Sequence, residues 1–175
     1  MLLKSDIEEA YKLQQSIQKN RTLIERTYLH KIRYKDPQIE VISGIRRSGK
    51  STLMLQIMDK YKNPAFFNFE DPRVFGFDLA DFQKLDEIMG TRVDAYFFDE
   101  VQNVDKCELF VRQLHNKNKK VFITGSNAAM LSKDLGTRLT GRHIRHELFP
   151  FSYEEYLIYQ KFTDSSKSFD KYNIS

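Results

Sequence analysis

Gly44-Ile45-Arg46-Arg47-Ser48-Gly49-Lys50-Ser51 places two glycines five positions apart, followed directly by a lysine and a hydroxyl. That spacing belongs to a loop that wraps phosphate. Ile39-Glu40-Val41-Ile42-Ser43 before it reads as a short strand, and Thr52-Leu53-Met54-Leu55-Gln56-Ile57-Met58 after it reads as a helix. Glycines let successive backbone amides curl onto one anion, which side chains would obstruct. The helix opening at Gly49, Lys50, Ser51 and Thr52 adds unpaired N–H groups and the positive end of its dipole. Lys50 is expected to reach the β- and γ-phosphates and Ser51 to give its hydroxyl to Mg²⁺. Gly44, Arg47 and Ser48 complete the expected contacts, although Arg46 and Arg47 equally suit a solvent-facing role.

A second element lies downstream. Tyr96-Phe97-Phe98-Asp99-Glu100 is an apolar strand that delivers two acids at its carboxyl end. In a parallel sheet that end is the ligand-binding edge. Asp99 is expected to hold Mg²⁺, and Glu100 to act as general base toward water. A glutamate beside the metal-binding aspartate favours a hydrolase over a kinase.

Between and beyond these motifs, strands alternate with helices. Ala65-Phe66-Phe67-Asn68-Phe69 predicts a second strand after the Asn63-Pro64 stop. Phe82, Leu85, Ile88 and Met89 predict a helix ending at Gly90, and Cys107, Phe110, Val111 and Leu114 predict another. Val121-Phe122-Ile123-Thr124 gives a fourth strand, Leu131, Leu135 and Leu139 a further helix, and residues 144–149 a fifth strand. Ser152 and Glu155 have capping-box spacing for a last helix, reaching about Phe162. Such alternation argues for a parallel sheet covered on both faces.

Residues 1–36 read as an N-terminal helical segment, 37–162 as the nucleotide domain and 163–175 as a polar, frayed tail. Ser5 and Glu8 suggest a capping box that opens one long helix to about Ile32. Its second half carries Lys19, Arg21, Arg26, Lys31, Arg33 and Lys35, which is either a solvated face or a patch for nucleic acid or an acidic partner.

The chain has 175 residues, a net charge of +4 and one cysteine, Cys107. This suits a single domain with its own core and no disulfide framework. No apolar run approaches the ~18 residues that cross a bilayer, so a cytoplasmic protein without a membrane partner is expected. His143 and His146 would point to opposite faces of a strand, which suits no metal pair.

Asn68, at the end of the second strand, either hydrogen-bonds Glu100 or is a plain strand-end amide. Ser126 or Asn127, after the fourth strand, is read as a sensor of the γ-phosphate; the alternative is a polar turn capping the next helix.

Together these residues resemble an AAA-type ATPase of the additional-strand catalytic glutamate class of P-loop proteins. They are most similar to a bacterial and archaeal family of AAA-domain ATP-binding proteins. The likeness spans roughly residues 17–159. It is carried by the loop at 44–51, Phe67-Asn68-Phe69-Glu70-Asp71-Pro72-Arg73, Phe97-Phe98-Asp99-Glu100-Val101-Gln102 and Ile123-Thr124-Gly125-Ser126-Asn127. It continues in Leu139-Thr140-Gly141-Arg142 and Leu148-Phe149-Pro150-Phe151-Ser152-Tyr153-Glu154-Glu155.

The resemblance implies an α/β P-loop NTPase fold, a three-layer sandwich with a parallel five-stranded sheet of order 5-1-4-3-2. It also implies ATP with Mg²⁺ and hydrolysis coupled to conformational change. Arg142, or else Arg138, would then serve a neighbouring copy as an arginine finger in a homo-oligomer; a surface arginine before an edge strand is the other reading. Members of that family usually continue into a further C-terminal region, which is expected to be missing here, along with any lid-borne sensor arginine. Two other functions stay open: a nucleotide-regulated binding module with little turnover, and an ATPase that handles DNA.

Overall fold

Five parallel strands form the centre of the molecule: β1 (Ile39–Ser43), β2 (Pro64–Asn68), β3 (Ala95–Asp99), β4 (Lys120–Gly125) and β5 (His143–Glu147). Their order is β2-β3-β4-β1-β5, which bears out the expected sheet. The computed structural model describes residues 1–18, 24–125 and 139–170, with side chains at 17–18 and 162–170 excepted. Helices α1 (Lys4–Gln18), α2 (Lys50–Met58), α3 (Asp81–Met89), α4 (Cys107–Asn116) and α5 (Tyr153–Asp170) accompany the sheet.

Alternation along each strand divides the core in two. Val41, Phe67, Tyr96, Phe98, Val121 and Ile123 pack with α1, α3 and α4 on one face. Ile42, Phe66, Phe97 and Phe122 pack with α2, Leu29 and Ile32 on the other. Phe97 and Phe122 stack across neighbouring strands with centroids 4.7 Å apart. On that same face Glu40 is fully buried, where Lys120 Nζ pairs with it at 2.8 Å and His146 Nε2 lies within hydrogen-bonding distance. A buried carboxylate persists only with such partners. Cys107 lies in the first core, where burial pushes its thiol up to about 12.

The N-terminal segment is not one long helix. α1 ends at Gln18, and Arg26 is extended (φ −82°, ψ 128°) before a 3-10 turn at Thr27–Lys31. Gln56 of α2 supplies the reason. Its Oε1 accepts from the Arg26 amide at 3.0 Å and its Nε2 donates to the Ile24 carbonyl at 2.5 Å, taking backbone groups a helix would use. The Ser5–Glu8 capping box is also absent. Ser5 Oγ donates to Asp6, Glu8 pairs with Lys12, and the Asp6 and Ile7 amides bond the Leu3 carbonyl instead.

α1 covers the open edge of the sheet. Gln14 takes the Asn68 amide on Oε1 at 2.8 Å and donates from Nε2 to its carbonyl, while Gln15 donates to the Phe66 carbonyl. Backbone groups on an edge strand otherwise invite pairing with another chain.

Smaller differences concern element ends. β2 closes at Asn68, and Phe69 turns away with its amide on the Asp99 carbonyl. β5 stops at Glu147, where the Leu148 amide donates to the Ser43 carbonyl at 2.7 Å. α5 runs past Phe162 to Asp170. The expected helix through Leu131 and Leu135 lies largely outside the described residues. Gly90 ends α3 with φ 83°, and the Ser152–Glu155 capping box forms in full, with bonds of 2.8 and 3.2 Å.

Candidate active site

Because every strand runs the same way, Ser43, Asn68, Asp99 and Gly125 all finish at one edge of the sheet. The glycine loop leaves β1 there and turns into α2. Ser48 donates its amide to the Ile45 carbonyl at 3.2 Å, and Arg47 is left-handed at φ 66°. Gly44 has no room for a side chain, since a Cβ would lie 2.3 Å from the Leu148 carbonyl oxygen. Gly49 combines φ 89° with a neighbour 2.3 Å from where its Cβ would be, Nη1 of Arg26. Both glycines are required by geometry. Ser48 Oγ is buried with no hydrogen-bond partner among the described residues. A buried hydroxyl left unpaired is costly, and Ser48 Oγ is placed to bond a polar group brought to the loop.

Lys50, buried at the start of α2, folds over this loop and donates to the Ile45 carbonyl at 3.2 Å. Its Nζ also lies 3.7 Å from Glu100 Oε1. Glu100 is left-handed (φ 55°, ψ 48°), which costs a non-glycine residue about 1 kcal/mol. Gln102 donates to Glu100 Oε2, and the Glu100 amide donates to Thr124 Oγ1 at 3.0 Å. The Thr124 hydroxyl in turn donates to Asp99 Oδ1. Burial holds the Asp99 carboxyl above its ordinary range, opposed by hydrogen bonds from Thr124 and Ser51. Ser51 and Asp99 therefore present adjacent hard oxygen donors, the kind Mg²⁺ prefers.

Residues 36–157 match the family described as AAA domain. The chain belongs to that family. Two curated relatives of this AAA domain are described as uncharacterized proteins. One, from Methanocaldococcus jannaschii, is 37% identical over 129 residues, covering 71% of this chain and 29% of its own length. The other, from Haemophilus influenzae, is 36% identical over 156 residues, covering 80% of this chain and 38% of its own. The chain thus spans less than two fifths of either relative. Among solved structures, AMPPCP-bound DnaA from Aquifex aeolicus aligns at TM-score 0.46 and 17% identity, covering 95% of this chain and 53% of that one. The DnaC helicase loader aligns at TM-score 0.43 and 14% identity, covering 70% and 85%.

Not every residue singled out in the sequence of this AAA domain reaches the site. Gly44, Ser48, Gly49, Lys50, Ser51, Asp99 and Glu100 are gathered at one edge. Arg47 is exposed and, with Thr52, lines a cleft that Ser48 and Gly49 also border; Arg46 is exposed and pairs with Glu70 at 3.1 Å. Asn68 lines a cleft together with Ser51 and Asp99, but its side chain does not bond Glu100: its Oδ1 accepts from the Glu70 amide at 2.8 Å, and the amide group on Glu100 belongs to Gln102. Arg142 precedes β5 and lies at the opposite, amino-terminal edge of the sheet, its carbonyl accepting from the Ile39 amide. Ser126, Asn127 and Arg138 lie outside the described residues.

Four residues at the AAA domain's site escaped the sequence reading as site residues. Thr124 and Gln102 read in the sequence only as members of motifs, and Glu155 as a motif member and a helix cap. Arg26 was grouped with surface cations, yet it is 2% exposed and bonded to the loop. None has a signature, because each acts through a contact that only the fold creates.

Among the described residues no helix is long and apolar enough to cross a membrane, and no group of three or more His, Cys, Asp or Glu stands ready for a metal. His143 Nδ1 lies 2.9 Å from the Leu139 carbonyl and His146 meets Glu40, so the two histidines serve different parts of the structure.

Proposed function

We propose that this chain binds Mg–ATP on the 44–51 loop and hydrolyses it. The observation that carries the reading is the meeting of Lys50, Ser51, Asp99 and Glu100 at one sheet edge, around a loop whose buried Ser48 hydroxyl awaits a partner. The loop amides and Lys50 hold the phosphates. Ser51 and Asp99 hold Mg²⁺, which when bound neutralises charge on the phosphate oxygens. Glu100 orients and deprotonates water. A cleft of about 650 Å³ beside the loop, lined by Arg47, Gly49, Thr52, Phe151, Tyr153 and Tyr156, gives the base an aromatic platform. Phosphate release from Mg–ATP, abolished in Lys50→Ala, tests the reading; equal release by that variant and the parent chain would overturn it.

A second reading rests on Glu100 itself. Its carboxylate is engaged by Gln102 and lies near Lys50, which suits a nucleotide-regulated module whose turnover waits on release of that residue. Nucleotide affinity without phosphate release would decide for it. Coupling of hydrolysis to conformational change and a homo-oligomer in which Arg142 serves a neighbouring copy belong to the first reading. Arg142 is exposed and remote from its own loop, so it suits action in a neighbour only. DNA handling draws less support, because Arg26 is buried and Arg33 pairs with Asp36 at 3.4 Å.

A further inference from the structure

Arg26 runs inward from the N-terminal segment and spends its guanidinium on three elements. Nη1 donates to the Ser48 carbonyl at 2.6 Å, Nη2 to the Phe149 carbonyl at 2.8 Å, and Nε to Glu155 Oε1 at 3.0 Å. The Phe151 ring lies 5.0 Å from Arg26 Cζ. Arg26 and Glu155 are both 2% exposed. Glu155 also accepts the Thr27 amide on Oε1 and the Ser152 amide on Oε2. Of the described side chains of α5, from Tyr153 to residue 161, Glu155 alone is buried. Over this described stretch the one buried side chain is a carboxylate, and that carboxylate grips the arginine that grips the loop.

The peptide bond supplies the link to phosphate. In a planar trans peptide the C=O and the following N–H point in opposite directions. Arg26 draws the Ser48 carbonyl toward itself, which turns the Gly49 N–H the other way, away from Arg26. We propose that Arg26 is the positioning residue of the phosphate loop and that Glu155 sets it from α5, so that the seating of α5 governs phosphate affinity. This rests on the reading that the loop takes Mg–ATP. Lysine cannot replace Arg26, because one ammonium cannot reproduce a planar fork that addresses three acceptors at once.

The test uses the full chain, with Arg26→Lys, Glu155→Gln and the double variant. Fluorescently labelled ATP and ADP are titrated well below each protein's melting temperature, and amide hydrogen exchange at Gly49 is followed without nucleotide. Arg26→Lys is expected to weaken both nucleotides about tenfold or more, and Glu155→Gln by several-fold. The double variant is expected to be no worse than Arg26→Lys, because Glu155 acts through Arg26. Gly49 exchange is expected to quicken in all three. A merely structural role would lower the melting temperature and leave affinity in the folded protein unchanged. Parent-like affinity and parent-like Gly49 exchange in Arg26→Lys, or losses that multiply in the double variant, would overturn the proposal. Should Arg26→Lys not fold, Glu155→Gln decides by the same two measurements. A parent chain that binds neither nucleotide overturns the Mg–ATP reading and this inference together; a parent that binds beside unaffected variants overturns this inference alone.

Discussion

Lys50 Nζ lies 3.7 Å from Glu100 Oε1, with both side chains withdrawn from solvent. The lysine that should meet phosphate thus shares its charge with the carboxylate that should activate water. Glu100→Gln removes the charge and keeps the shape. Turnover in Glu100→Gln is expected to fall about 10²- to 10⁴-fold while labelled ATP still binds. Phosphate release and fluorescence titration on the same preparation check the pair; undiminished turnover would remove Glu100 from the base role.

Asp99 pays for its position in stability. Its pKa is raised above the usual 3.8, chiefly by burial. The folded state then binds its proton more readily than the unfolded state, so this group's contribution falls as pH rises from the ordinary aspartate range through the raised value. Asp99→Asn is expected to stabilise the nucleotide-free chain at pH 7 by about 1 kcal/mol and to abolish the dependence of ATP affinity on Mg²⁺. Urea unfolding of the nucleotide-free chain measures the first effect, and titration of labelled ATP with and without Mg²⁺ measures the second.

Glu155 shows the opposite sign. Burial alone would raise its pKa, but the Ser152 and Thr27 amides and Arg26 outweigh it and hold the carboxyl below the usual 4.5. Its contribution is present above that value and is lost as pH falls through the depressed one. Glu155→Gln is expected to lower stability at pH 7 and to flatten the acid limb of the stability curve below about pH 4.5. Unfolding midpoints from pH 3 to 7 test this, and an acid limb as steep as the parent's would refute it.

Gln14 and Gln15 are the lids of the β2 edge. Replacing both with alanine leaves the Asn68 amide and two carbonyls without their partners, at a cost of about 1–3 kcal/mol. Faster exchange of the Asn68 amide and concentration-dependent self-association are expected, measured by hydrogen exchange and light scattering.

Much of this architecture was readable because the strands announce themselves. β1, β3 and β4 are short apolar runs that end in Ser43, Asp99 and Gly125, and the glycine loop fixes which end is functional. The helices α3 and α4 showed their apolar faces at helical spacing, and Ser152 with Glu155 marked the start of α5. The N-terminal segment was misread for a physical reason. Periodicity at Ile24, Tyr28 and Ile32 suits a helix, but Gln56 from a distant element takes the backbone groups at Ile24 and Arg26. Arg26 was misread the same way, since an arginine among other cations looks solvated until its partners 22, 123 and 129 positions away are known. Asn68 misled through its place at a strand end, where its own turn claims the side chain.

The 129 positions that separate Arg26 from Glu155 also bear on how the protein matures. During synthesis the phosphate loop emerges about a hundred residues before the carboxylate that completes its support. Long-range closures of this kind come late in folding. A nascent chain can therefore assemble its first strands and helices while the loop still lacks its final brace. If that brace sets phosphate affinity as proposed, nucleotide capture waits until Glu155 has emerged and docked on Arg26.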